Sequence, residues 1–218
     1  GGAEQSGQCE FIVNPDPKSL WKCLEPAADA KYRKPHVHCT EVDVAQQPFR
    51  LIAASRRGRS HEHAGSHRDD DYCVEHVTTT GWTIMIVADG AGSAQYSREG
   101  SRLAVRTAGD HLLDVLAGDQ GAAMAVSLDS AAALPALLAN LGSDFHYLYH
   151  KAASLAVQAI EAEAAATGSQ PRDYATTFLA VATHACGDKL FVASFWMGDG
   201  AIAVYGPQGV VKLMGTPD

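Results

Sequence analysis

Apolar positions change their spacing several times along the chain, and each change marks a structural boundary. Residues 1–47 show no sustained period. They hold the NPDP tetrapeptide (Asn14 to Pro17), a stretch from Ser19 to Ala30 with helical character, and the polar run KYRKPHVH. From Phe49, FRLIAASRRG alternates and then runs apolar to Gly58, the pattern of a strand. A polar loop, RSHEHAGSHRDD, leads to YCVEHV and, past a Thr-rich turn, to WTIMIVADG. The last is an apolar, β-branched run ending in Asp-Gly, as in a strand buried on both faces. These three segments predict a β-meander.

Helical spacing then takes over. Leu103, Ala104, Ala108, Leu112, Leu113 and Leu116 recur on one stripe between Tyr96 and Leu116. Ala122 to Leu141 and Phe145 to Ala166 read as two further helices rich in Ala, Leu and Glu, separated by a stop and cap at Gly142-Ser143-Asp144. Beyond Arg172 the strand texture returns in ATTFLAVATHA, KLFVASFWM and AIAVYG, and VVKLM follows a turn at Pro207 to Gly209. Strands, then a helical block, then strands predict an α+β layered fold, with antiparallel sheets covered by helices rather than βαβ units. No internal repeat is visible. We divide the chain into an extension, residues 1–47, and a main domain, residues 48–218.

Charge and cysteine usage narrow the function. A net charge of −8 and a pI near 5.6 argue against a nucleic-acid surface, which needs clustered Lys and Arg. The same balance suits carboxylates that gather divalent cations. Cys9, Cys23, Cys39, Cys73 and Cys186 are widely spaced with no CxxC pair, which predicts free thiols in a reducing cytoplasm. No apolar run approaches the roughly 18 residues that would suggest a bilayer span. The N-terminal GGAEQSGQCEF lacks the basic and apolar regions of a secretory signal.

Three acidic positions fall at strand ends, where loops present side chains to a shared site. Asp69, Asp70 and Asp71 repel one another unless solvated or shared with a cation; an exposed acidic turn reads equally well. Asp89 ends the WTIMIVA strand, with Gly90 leaving its own carbonyl open to a cation, yet Asp-Gly is also a common turn dipeptide. Asp199 lies in WMGDGAIAVY, where GDG also makes a good hairpin turn. Carboxylates on separate strand tips fit Mg²⁺ or Mn²⁺, which prefer oxygen ligands.

Four motifs occur in the order and spacing of PP2C-type serine/threonine phosphatases: RRGRSHEHAGSHRDDDY, IVADGAGSAQYSREGSRLAV, DYATTFLAVA and FWMGDGAIAVYG. The chain resembles that family over residues 49–218, most of all a bacterial subfamily whose first motif reads GxSH followed by GxPCQD. Gly58, Ser60, His61, Gly65 and Asp70 match this motif, while His67, Arg68 and Asp69 replace its Pro, Cys and Gln. Asp89-Gly90-Ala91-Gly92 matches the DGxG signature and Ser93 continues the subfamily form. Thr176 and Thr177 match the S/C-T-T element, and Gly198-Asp199 the G-D turn.

The resemblance implies a four-layer α-β-β-α sandwich and hydrolysis of phosphoserine or phosphothreonine by a metal-bridging hydroxide, without a covalent intermediate. It implies two Mn²⁺ or Mg²⁺ ions, with a third held more weakly. Asp89 would bridge the pair, the Gly90 carbonyl would complete one coordination sphere, and Asp70, with Asp69, would bind the same ion. Asp199 would help hold the third ion. His61 would orient its loop or donate a proton to the leaving oxygen. The partner would be a phosphorylated protein, with residues 1–47 as an arm for a cognate kinase; no nucleic acid or membrane is expected.

Two departures follow. Family members carry further metal-binding aspartates in a C-terminal third, whereas this chain stops at Gly215-Thr216-Pro217-Asp218, so the expectation is an incomplete domain that alone binds metal poorly. The family's phosphate-gripping arginine has no counterpart at Gly65, and Arg57, Arg59 and Arg68 read as solvated surface charge. An inactive phosphatase-like scaffold is the alternative function. A zinc hydrolase built on His36, His38 and Cys39, or on His61, His63 and His67, is the other. HEHAGSH resembles the HxHxDH pattern, but Gly65 stands where that pattern needs Asp.

Overall fold

The computed structural model describes residues 13, 16, 20–42, 50–130, 134–206, 209 and 211–214. Its centre is a four-stranded antiparallel sheet in the order β3 (Asp71–Val77), β4 (Trp82–Ala88), β5 (Phe178–Cys186) and β6 (Lys189–Met197). Register runs from Val77↔Trp82 to Asp71↔Ala88 in the first hairpin and from Trp82↔His184 to Val87↔Leu179 in the second pairing. Side chains alternate across this sheet, as the pleat requires. Trp82, Ile84, Ile86, Cys73 and Val77 face the helices, whereas Tyr72, Val74 and Met85 face the other way.

The helical layer consists of α2 (Ser97–Ala117), α3 (Asp119–Asp129) and α4 (Leu134–Thr167). Ala108, Leu112, Leu116, Phe145, Leu148, Tyr149 and Ala152 bury their side chains in one core with β4, β5 and β6. Glycines set how closely α2 lies on its neighbours: a Cβ at Gly109 would stand 2.6 Å from Cys73 Sγ, and one at Gly100 would stand 1.8 Å from the Tyr174 carbonyl oxygen. On the other face, β1 (Val37–Val42) and β2 (Leu51–Arg56) form a two-stranded sheet that packs Leu51, Val42 and Ala53 on Tyr72, Val74 and Met85. Helices, central sheet and small sheet thus stack in that order; a second helical layer is not seen among the described residues. The fold is α+β with antiparallel sheets. Among the described residues no helix is long and apolar enough to cross a membrane.

Several local expectations need correction. The meander is only the β3–β4 hairpin: among the described residues β2 pairs with β1, a strand hidden in sequence by its half-exposed polar pattern. Residues 21–27 carry no helix. Pro26 would interrupt its hydrogen bonds, and exposed Trp21 and Leu24 give it no buried face. Ser19, Phe49, most of NPDP, Pro207 and Gly215 to Asp218 lie outside the described residues.

Gly142-Ser143-Asp144 does not break the helix; α4 runs through it. Leu141, Phe145 and Leu148 continue one buried stripe across this point, and that burial outweighs the roughly 1 kcal/mol cost of a helical glycine. The break falls earlier, after Asp129. The RSHEHA stretch, read as loop, folds as the short helix α1 (Arg59–Ala64), ended by Gly65 at φ 67°. β7 (Ala203–Tyr205) pairs with β8 (Val211–Leu213). Gly198-Asp199-Gly200 therefore does not close a β6–β7 hairpin among the described residues.

Candidate metal and phosphate site

The tip of β4 is held by the chain entering β5. The Asp89 N–H donates to Thr177 Oγ1 at 2.9 Å, while its carbonyl accepts from Thr176 Oγ1 at 2.9 Å and from the Thr177 N–H at 2.8 Å. The Ala91 N–H donates to the Ala175 carbonyl at 2.9 Å, and Gly90 bridges Thr176. A Cβ on Gly90 would stand 2.8 Å from the Asp69 carbonyl oxygen and 3.0 Å from Ser97. Glycine is required there for close approach, and that approach brings the acidic triplet beside Asp89.

The triplet is pinned by buried donors. Lys34 Nζ reaches the Asp69 carbonyl at 3.4 Å, the Asp70 carbonyl at 3.3 Å and Ser101 Oγ at 3.0 Å. Ser55 Oγ donates to the Asp70 carbonyl at 3.1 Å, which also accepts from Arg68. With the backbone fixed, the three carboxylates diverge. Asp69 turns toward Arg98 Nε at 3.5 Å and His61 Nε2 at 3.9 Å. Asp71 is buried against Lys34 Nζ at 3.0 Å, Arg68 at 3.4 Å and His38 at 3.8 Å. Burial lowers the Lys34 pKa, and the neighbouring Asp71 charge opposes that fall. Asp70 remains exposed.

Asp70, Asp71, Asp89 and Asp199 line one open cavity of about 330 Å³, together with Arg56 and Thr177. A hydrogen bond donated by the protonated Asp89 carboxyl to Asp70, burial, and the charges of Asp70 and Asp199 push the Asp89 pKa up to about 6, with His61 pulling the other way. A donor set of neighbouring carboxylate oxygens whose like charges oppose ionisation at Asp89 fits a hard divalent cation, which neutralises that charge by coordination. Among the site residues expected from sequence, Asp70, Asp89 and Asp199 meet in this cavity. Asp69 and Gly90 do not line it. The His61 ring lies beside it, with Nδ1 at 2.9 Å from Ser66 Oγ.

The arginines depart from expectation. Arg57 and Arg68 are buried rather than solvated. Arg57 donates to the Leu24 carbonyl at 2.5 Å and the His61 carbonyl at 3.0 Å, and Arg68 to the Pro35 carbonyl at 3.1 Å and Ser55 Oγ at 2.9 Å. Arg59 is exposed, 3.8 Å from Glu62. The cation that lines the cavity is Arg56, the last residue of β2. Strand alternation beside buried Ser55 and Arg57 is the only signal that could have found it. Lys34 was equally hidden, inside a polar run. The histidines scatter: His63 Nδ1 accepts from the Lys22 N–H at 3.1 Å, buried His67 meets the Lys34 carbonyl at 2.8 Å, and His36 lies 3.2 Å from Glu25. Among the described residues neither histidine motif assembles a three-ligand zinc cluster.

The antiparallel α+β fold thus gathers carboxylates at its strand tips, a donor set that suits a hard divalent cation. A profile of the protein phosphatase 2C family matches residues 57–218, well over half of the chain. The chain belongs to the protein phosphatase 2C family, and with it comes a phosphatase-like function in general and a family-wide use of Mg²⁺ or Mn²⁺. A search of curated proteins gives no match. The match starts at Arg57, so β1, β2, Lys34 and Arg56 precede it.

Proposed function

We propose that the protein is a Mn²⁺- or Mg²⁺-dependent phosphatase of phosphoserine and phosphothreonine in proteins. The observation that supports this reading is the convergence of Asp70, Asp89 and Asp199 on one cavity with Arg56 on its wall. The three carboxylates hold the cations. When bound, such ions neutralise phosphate charge and acidify water near neutral pH.

The chain's own residues supply position. Thr176 and Thr177 lock the Asp89 backbone, so its carboxylate is presented without reorganisation. Arg56 pairs with phosphate oxygens, a contact that suits the planar guanidinium fork. His61, held by Ser66, protonates the leaving seryl or threonyl oxygen. Substrate is a phosphorylated protein; the described part of the extension, which includes Lys34 and β1, buttresses the site, and residues 1–47 also serve as a docking arm for a kinase.

The test is Mn²⁺-dependent hydrolysis of a phosphothreonine peptide and of p-nitrophenyl phosphate. Asp89→Ala is expected to lower the rate at least about 100-fold, the scale of losing one preorganised electrostatic group, with an unchanged circular-dichroism spectrum. A wild-type protein that binds Mn²⁺ but hydrolyses neither substrate would replace this reading with the scaffold one.

A further inference from the structure

A second cluster of ligand-type side chains lies at the opposite end of β5. His184 and Cys186 are two residues apart on that strand and therefore share a face, and Asp129 ends α3 above them. One ligand atom from each lies within 4.8 Å of the others. Eight residue steps from Phe178 to Cys186 put this cluster about 25 Å from the Asp89 cavity.

We propose that Asp129, His184 and Cys186 bind a zinc ion. The carrying observation is the state of His184. Its side chain is 7% exposed, yet neither ring nitrogen makes a hydrogen bond. Trp82 packs on the ring at 5.0 Å between centroids. Nδ1 is turned to the Gly81 backbone, where a Cβ would come within 3.4 Å of it. Nε2 is aimed at Asp129 Oδ1, 3.6 Å away, too far for a hydrogen bond and suitable for an ion between them. A buried imidazole must carry at least one N–H, and buried polar groups are almost always paired. Coordination through Nε2 satisfies that nitrogen.

The donor set selects the metal. One imidazole, one thiolate and one carboxylate suit zinc, and two anionic ligands balance its charge. Mg²⁺ and Mn²⁺, served by the all-oxygen cavity, gain little from sulfur. As the Sγ–Zn bond forms, the Cys186 Sγ–H proton leaves to solvent. The fourth position opens to a cavity of about 520 Å³ whose wall includes Asp129, Cys186, Asp188 and Lys189, where water completes the tetrahedron. Bound there, zinc ties the end of α3 to the β5–β6 turn.

Cobalt(II) titration of the whole chain tests the site, because a thiolate ligand gives a near-ultraviolet charge-transfer band that an all-oxygen site cannot. The expected result is a band saturating at one equivalent and displaced by Zn²⁺. It is abolished in Cys186→Ser and retained in Asp89→Ala. Asp129→Asn changes a residue 59% exposed, so the fold tolerates it, and cobalt affinity is expected to drop at least about tenfold. No band at one equivalent, a band that survives Cys186→Ser, or unchanged affinity in Asp129→Asn overturns the assignment.

Discussion

Replacing Lys34 by alanine tests how far the acidic triplet depends on a residue that precedes the family match. Lys34 and Asp71 form an ion pair at 3.0 Å with side chains only 5% and 9% exposed. Removing one partner of such a pair costs about 3–5 kcal/mol, because the other charge stays buried. Arg68 remains 3.4 Å from Asp71, and the Asp69 and Asp70 carbonyls keep their bonds to Ser101, Ser55 and Arg68. The low end, about 3 kcal/mol, is therefore expected. At about 2–4 °C per kcal/mol for a domain of this size, Tm should fall by about 6–12 °C. Urea denaturation of Lys34→Ala, Asp71→Asn and the double variant measures the coupling. Neutralising Asp71 removes the orphaned charge, so the double variant should lose about 1–3 kcal/mol less than the sum of the singles. A Lys34→Ala loss below about 1 kcal/mol, or strict additivity, would refute the pinning of the triplet by Lys34.

The other predictions concern the cavity and its frame. Gly90→Ala forces a Cβ against the Asp69 carbonyl and Ser97; about 1–3 kcal/mol of stability should be lost, with weaker Mn²⁺ binding in a calorimetric titration. Arg56→Ala should raise KM for a phosphopeptide about tenfold, near the low end for one charge-assisted hydrogen bond, and shift stability by no more than about 0.5 kcal/mol, as for an exposed position. In metal-free protein the Asp89 pKa is raised in the folded state, to about 6 from 3.8. The folded form thus holds the extra proton, and its stabilising effect is present below about pH 4 and lost as pH rises through 6. Asp89→Asn should flatten that part of a stability–pH profile; an identical profile would deny the raised Asp89 pKa.

Much of the architecture was written in local pattern. WTIMIVA and KLFVASFWM are long, apolar and bounded by glycine, so their strands and ends were legible. The α2 stripe was legible for the same reason. What failed involved distant partners. Gly142 looked like a helix stop because polar Ser143 and Asp144 follow it, but the stripe through Leu141, Phe145 and Leu148 packs on a sheet formed far away. Arg57 and Arg68 looked solvated because the carbonyls they serve, on Leu24 and Pro35, come from an irregular stretch more than 30 residues upstream. Three adjacent aspartates could be recognised as a group, yet the donors that fix their carbonyls, on Lys34, Ser55, Arg68 and Ser101, had no signal in the sequence. Asp129, His184 and Cys186 span two elements with no motif between them.

The bonds around Asp89 carry a consequence for mutational tolerance. The Thr176 and Thr177 hydroxyls share the task with main-chain atoms of Ala91, Ala175 and Thr177, and the Tyr96 N–H adds a tie to the Asp173 carbonyl at 2.6 Å. Main-chain partners are indifferent to most side chains. A saturation library at Ala91 and Ala175 should therefore accept broad replacement, whereas Asp173, whose carboxylate accepts the Gln170 N–H at 2.9 Å, should not. Proline should be rejected at positions 91, 96 and 177, where it would delete the donating N–H, and position 177 also needs the hydroxyl that accepts from the Asp89 N–H.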